Sequence, residues 1–195
     1  VPIKSFVDAK ERLAPVLDPE QRRSLAMQMA AGVLEATKPS STAVVCDDEE
    51  VAAWAAARGA TIIWAPGRGL NGAVATGVQE LSAQGFDRIT VVHADLPFPE
   101  GLLDLPAVTG VLLVPDRRHD GTNVLGIPAR SDFTFSYGRA SFARHLAAAK
   151  QLGRGVEVLE DLELSIDVDL PEDLEEMRTR ARRRGPEGPR SSTSS

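Results

Sequence analysis

Apolar and polar positions alternate in blocks along the chain. Short apolar runs at 1–6, 42–46, 61–65, 88–93 and 111–115 have the length and β-branched content of strands. Between them, 19–36, 49–58 and 71–84 space their apolar residues as helices do. This alternation predicts βαβ units on a mostly parallel sheet flanked by helices, an α/β fold. The punctuation agrees: Asp18 before Pro19 reads as an N-cap with proline in the first turn, and Gly59 and Gly85 follow their helices as C-terminal caps do. Past residue 115 the pattern changes. DGTNVLGIP predicts a turn into a strand that is antiparallel or at an edge, SFARHLAAAKQL a helix, and LSIDVDL a last short strand before the helix PEDLEEMRTRARRR.

One domain over 1–184 accommodates these elements, and the Gly, Pro and Ser tail at 185–195 is expected to lack order, having little apolar area to bury. The net charge of −6 argues against a general polyanion binder, so no nucleic-acid partner is expected and any basic site must be local. The basic run ending at Arg184 suits the negative end of a helix dipole and needs no further role. The single cysteine, Cys46, lies in an apolar run and predicts a structural thiol in a reduced, cytoplasmic setting, and no apolar segment is long enough to span a membrane.

In parallel α/β sheets ligands bind at the carboxyl ends of the strands, which directs attention to the residues there. Asp95 ends RITVVHAD; it either caps the next turn or presents a free carboxylate. Asp167 and Asp169, two apart, share one side of an extended segment, and Asp169 is alternatively the N-cap of the helix that begins at Pro171. Convergence of Asp95 with Asp167 would give hard oxygen ligands suited to Mg²⁺. The opening is a further anomaly for an acidic chain: Lys4, Lys10 and Arg12 cluster after the first strand, in a loop without the glycines of GxGxxG or GxxxxGK[ST] phosphate loops.

APGRGLNGAVATG offers flexible backbone at Gly67, Gly69 and Gly72, with Asn71 able to read a base edge or a ribose, or is simply a glycine turn before a helix. HDGTN and YGRASFARH resemble small-anion holders through Thr122, Gly138 and Ser141, although Ser141 also fits a plain N-cap. His93, His119 and His145 form no metal spacing, and no Ser/His/Asp or Cys/His arrangement is legible. The acidic run 47–50 suits the start of its helix.

Taken in order, PIKSFVDAKERLAPVLDPEQRR, VVCDDEEVAAWAAARGA, GLNGAV, HADLP, DGTN, YGRASFARH and IDVDLPEDL resemble the 2-phospho-L-lactate guanylyltransferases and their phosphoenolpyruvate-using bacterial relatives of coenzyme F-420 biosynthesis. The resemblance implies a single-domain, Rossmann-like nucleotidyltransferase of the molybdenum-cofactor guanylyltransferase type. It implies that Lys4, Lys10, Arg12, Gly69 and Asn71 hold GTP, with Lys10, Arg12 and Asp95 serving catalysis. It further implies that Asp95 and Asp167 hold Mg²⁺, and that Thr122, Gly138 and Ser141 hold the acceptor, a three-carbon phospho-acid. His93 stands where relatives often carry an aspartate, and a neutral imidazole is a poor Mg²⁺ ligand. The acceptor stays open among 2-phospho-L-lactate, phosphoenolpyruvate and 3-phosphoglycerate; the Ala, Arg and Gly richness favours phosphoenolpyruvate. A homodimer is compatible with this reading. Two rivals are a molybdenum-cofactor or sugar-phosphate nucleotidyltransferase, disfavoured by the missing glycine loop, and a non-catalytic GTP-binding domain, for which His93 is the motive.

Overall fold

The structure is a computed structural model that describes residues 1–38 and 40–184; the tail expected to lack order lies outside the described residues. In chain order the elements are α1 (Pro19–Thr37), β1 (Ala43–Cys46), α2 (Glu49–Ala56), β2 (Thr61–Trp64), α3 (Gly69–Ala83), β3 (Arg88–Val92), β4 (Val111–Pro115), β5 (Thr122–Pro128), α4 (Ser141–Gln151), β6 (Val156–Val158) and α5 (Pro171–Arg184). Short 3₁₀ turns occupy Glu11–Leu13 and Pro99–Asp104.

The helix starts follow local chemistry. The Asp18 side chain accepts from the Gln21 amide at 2.9 Å while the Gln21 side chain accepts from the Asp18 amide at 3.0 Å, a reciprocal capping box with Pro19 at the first turn. Asp48 caps α2 through the Val51 amide at 3.0 Å. Gly59 and Gly85 take φ values of 85° and 97° just past their helices, as expected of C-terminal caps.

β1 and β2 pair in parallel, and Pro2 forms a parallel bridge with Val45. The second sheet has the order β3-β5-β4-β6, with β5 antiparallel to both neighbours and β6 parallel to β4. β3, β4 and β6 therefore share one direction, and β5, the segment expected to be antiparallel, is the single reversal in this sheet. All five residues of β4 are buried, and helices α3 and α4 pack on Val111, Leu113, Leu125 and Ile127. Close packing of α3 on β1 requires glycine at 77: a Cβ there would lie 2.6 Å from Val45 Cγ2.

Two strand boundaries differ from expectation. The first run pairs only as far as Ile3, whose amide donates to Val45, and the chain then turns so that Phe6 packs against Trp54 at a ring-centroid distance of 4.9 Å. LSIDVDL keeps its alternation, with Leu164, Ile166 and Val168 fully buried, but it forms no strand; Asp161 folds the chain by accepting from the Glu163 and Leu164 amides, each at 2.8 Å. The strand at that edge is instead β6. The basic end of α5 is paired: Arg178 with Glu175, Arg180 with Glu176, and Arg184 with Glu100 and Glu163. Among the described residues no helix is long and apolar enough to cross a membrane.

Candidate active site

A cleft of about 730 Å³ opens where β1, β2 and β3 end. Its walls carry Lys4 and Lys10 from the opening loop, Asp47 after β1, Gly67 and Gly69 before α3, and His93 and Asp95 after β3, with Asp169 at one edge. This is the size range of small-molecule sites, at the end of the sheet where α/β folds bind ligands. Gly67 and Gly69 have φ of 66° and 60°, and the Gly67 amide donates to Asp47 Oδ2 at 3.4 Å, so the glycines bend the wall toward the acidic strand end. Cys46 is buried in the same wall, where burial raises its thiol pKa and so disfavours the thiolate.

The electrostatic centre is a cluster of Asp95, Asp167 and Asp169, each offering an oxygen within 4.8 Å of the others. Lys10, a non-glycine residue at φ 56°, sends its ammonium into this cluster, 2.7 Å from Asp95 Oδ2 and 2.9 Å from Asp169 Oδ1. Burial alone would lower the Lys10 pKa, but the charges of Asp95 and Asp169 outweigh it and hold the amine protonated. The reciprocal balance holds Asp95 ionised: burial pushes its pKa up, and the charge and hydrogen bond of Lys10 overcome that push. No ion pair reaches Asp167 among the described residues, and burial with the charges of Asp95, Asp169 and Asp116 pushes it up to about 7.

The donor set fits a hard divalent cation. Asp95 Oδ1 and Asp167 Oδ1 are buried oxygens with no hydrogen-bond partner among the described residues, and three carboxylates against one ammonium leave negative charge uncompensated. His93 is a poor addition to that set: burial pushes its pKa down despite Asp95, leaving a neutral ring whose Nδ1 is 4.0 Å from Asp95 Oδ1.

Asp169 is free for this cluster because it does not cap α5. The Asp173 carboxylate turns back to accept from the Asp169 amide at 3.2 Å and the Leu170 amide at 2.8 Å. Asp173 is itself fully buried and bound by Arg117 and Arg118, a network that fixes the segment bearing Asp167 and Asp169. Arg12 remains 73 % exposed, with Nη1 4.0 Å from Asp169 Oδ2, at the outer side of the cluster.

The other candidate residues, Asn71, Thr122, Gly138 and Ser141, lie outside the lining of this cleft. Asn71 points away from the large cleft and grips the 136–138 strap, accepting from the Tyr137 amide at 2.6 Å and donating to the Tyr137 carbonyl at 3.3 Å. Gly138 has φ 110°. Ser141 is buried as the first residue of α4, and it is not the cap: Ala140 occupies that position and donates to Asp120 Oδ1 at 3.0 Å. Thr122, at the start of β5, is buried against His145. The rings of His93, Tyr137 and His145 pack in series, the first pair tilted and the second edge-to-face, with centroids 5.0 and 4.7 Å apart, joining the carboxylate cluster to Thr122. Tyr137, His145 and Asp173 were not among the sequence candidates, although the first two lie within the YGRASFARH segment.

Comparison with known proteins adds five findings. The family model described as guanylyl transferase CofC like matches residues 1–182. A phosphoenolpyruvate guanylyltransferase of Sphaerobacter thermophilus is 35 % identical over 186 residues, covering 91 % of this chain and 90 % of that protein. A 2-phospho-L-lactate guanylyltransferase of Methanothermobacter thermautotrophicus is 33 % identical over 185 residues, covering 91 % and 82 %. Among solved structures, one from Desulfovibrio desulfuricans G20 described as a nucleotide-diphospho-sugar transferase aligns with a TM-score of 0.71 at 18 % identity, covering 89 % of this chain and 82 % of that one. CMP:2-keto-3-deoxy-manno-octonic acid synthetase aligns at 0.58 with 14 % identity, covering 94 % and 97 %. At those identities the two structures speak to the fold, which is of the nucleotidyltransferase kind.

Proposed function

This chain belongs to the guanylyl transferase CofC-like family, and on that premise we propose that it moves GMP from GTP onto the phosphate of phosphoenolpyruvate or 2-phospho-L-lactate, releasing pyrophosphate, in coenzyme F-420 biosynthesis. The observation that carries the reading is the carboxylate cluster, counterbalanced by Lys10, on the rim of a nucleotide-sized cleft at the strand ends.

A phosphate oxygen of the acceptor attacks the α-phosphorus of GTP, and the bond from that phosphorus to the bridging oxygen of the β-phosphate breaks. The acceptor phosphate is anionic near neutral pH, so no side chain has to act as nucleophile, and alignment and charge neutralisation carry the catalysis. Lys4, Lys10 and Arg12 take the triphosphate and the departing pyrophosphate; the fork of Arg12 suits two phosphate oxygens at once. Asp95 and Asp167, joined by Asp169, would hold Mg²⁺, which supplies Lewis-acid neutralisation of phosphate charge when bound. Gly69 lies against the nucleoside, and Asn71 contributes there by holding the strap at Tyr137. Thr122, Gly138 and Ser141 receive the acceptor's carboxylate.

The test is pyrophosphate release from GTP with Mg²⁺ against phosphoenolpyruvate, 2-phospho-L-lactate and 3-phosphoglycerate in parallel, with ATP and CTP as controls. Release with GTP and one of the first two is expected. Silence with every acceptor, alongside measured GTP binding, would favour a non-catalytic nucleotide-binding role and overturn the proposal.

A further inference from the structure

His145 is the most enclosed ionisable ring in the molecule, with no exposed surface, and the reaction outlined above gives it no part. Its hydrogen bonds have a fixed direction. The Ser136 backbone amide donates to His145 Nε2 at 2.9 Å, and an amide nitrogen has only a proton to offer, so Nε2 must present its lone pair. The proton of the neutral ring is then on Nδ1, 3.0 Å from Thr122 Oγ1. Burial, helped by the charge of Arg144, pushes the ring pKa down to about 4, consistent with a neutral imidazole in ordinary buffers.

The consequence falls on Thr122. Its hydroxyl oxygen accepts from Nδ1–H, and His145 is the partner found for that hydroxyl among the described residues, so the Thr122 proton is left for a further acceptor. A hydroxyl that can rotate offers a donor or an acceptor as needed; one pinned by an imidazole N–H offers a donor, and so favours an anionic oxygen over a neutral one. The same ring anchors Ser136, whose carbonyl accepts from Arg144 Nη2 at 2.8 Å, at the root of the strap that carries Gly138.

We propose that His145 is the positioning residue of the acceptor site, a neutral Nδ1–H imidazole that fixes Thr122 as a donor to the acceptor's carboxylate and ties Thr122 to the Gly138 strap. The inference rests on the acceptor reading of Thr122 given above and adds the group that sets its polarity.

The two ring nitrogens can be separated by substitution. In His145→Asn the amide nitrogen overlies Nδ1 and keeps the donor to Thr122; in His145→Gln the amide oxygen overlies Nε2 and keeps the acceptor for Ser136 but loses that donor. The expected result is an increase of about tenfold in the acceptor KM for His145→Gln, the size of one lost hydrogen bond, with kcat and the GTP KM unchanged. His145→Asn should stay within about threefold of wild type, and the His145→Gln effect should vanish in a Thr122→Val background. Equal effects of the two variants, or effects additive with Thr122→Val, would overturn the proposal.

A second measurement does not depend on turnover. Nitrogen-15 spectra of the ring in the free wild-type protein should show Nδ1 protonated and Nε2 bare; the opposite tautomer overturns the inference whatever acceptor the enzyme takes. Failure of every acceptor with the Nδ1–H tautomer intact would instead overturn the acceptor reading, and the positioning role with it.

Discussion

Lys10 Nζ lies 2.7 Å from Asp95 Oδ2, a contact between residues 85 apart in sequence, with Asp169 completing the clamp at 2.9 Å. The opening loop thus delivers a cation to the place where a metal would also bind. Asp95 spends one oxygen on that cation, while its second, Oδ1, is buried with no hydrogen-bond partner among the described residues.

Asp95→Asn is expected to lower turnover by 10²-fold or more, on the order of the loss of a group that stabilises transition-state charge. The fold should survive, since the amide is isosteric and its oxygen can still accept from Lys10. Pyrophosphate release and the circular-dichroism spectrum check both halves; turnover within threefold of wild type would remove Asp95 from the mechanism.

Lys10→Met separates the two cations that compete for one cluster. Without the ammonium, Asp95, Asp167 and Asp169 repel one another, so the variant should lose about 1–3 kcal/mol of stability while binding Mn²⁺ more tightly than wild type when no nucleotide is present. Urea unfolding gives the first quantity and electron paramagnetic resonance of free Mn²⁺ the second. Unchanged or weaker Mn²⁺ binding would show that Lys10 and the metal do not share the cluster.

Asp167 gives the protein a pH signature. Its folded-state pKa, about 7, lies above the ordinary carboxylate value, so between roughly pH 4 and 7 the folded state holds a proton that the unfolded chain has released. That contribution to stability is full below about pH 4 and is lost as the pH rises through 7. The metal-free wild type should therefore lose stability relative to Asp167→Asn across this window, as read from paired urea midpoints. Parallel profiles for the two proteins would show that Asp167 is not held protonated.

Much of the frame was legible because its signals are local. Asp18, Pro19 and Gln21 announce α1 within four positions, and the glycines after α2 and α3 mark their ends. The strand-end rule located Asp95, and spacing put Asp167 beside Asp169. The carboxylate cluster needed more: alternation correctly buried Leu164, Ile166 and Val168, yet side-chain capping by Asp161 prevents the ladder that alternation implies. β6 escaped notice because a three-residue strand, VEV, has no period to detect. No local signal joins Asn71 and His145 to their partners, Tyr137 and Thr122, which lie 66 and 23 positions away.

Asp173 is the clearest instance of a role that no local signal reveals. In sequence it is an acidic residue in the first turn of a helix, where Asp is ordinary. In the fold it has no exposed surface, binds Arg117 and Arg118, and accepts from the Asp169 and Leu170 amides. Burial alone would raise its pKa, but the two guanidinium groups and the amides outweigh it and hold the carboxylate below its ordinary value. A depressed pKa contributes stability that is present above the unfolded-state value near 4 and lost as the pH falls through the folded one. Asp173→Asn should therefore destabilise the protein by about 3 kcal/mol at pH 7, the scale for removing one partner from a buried ion pair, and the deficit should shrink as the pH falls below about 4. Because this network holds Asp167 and Asp169 in place, the folded fraction of the variant should also bind Mn²⁺ more weakly than wild type. Stability within 1 kcal/mol of wild type at pH 7, read by urea unfolding, would show that Arg117 and Arg118 do not depend on this carboxylate.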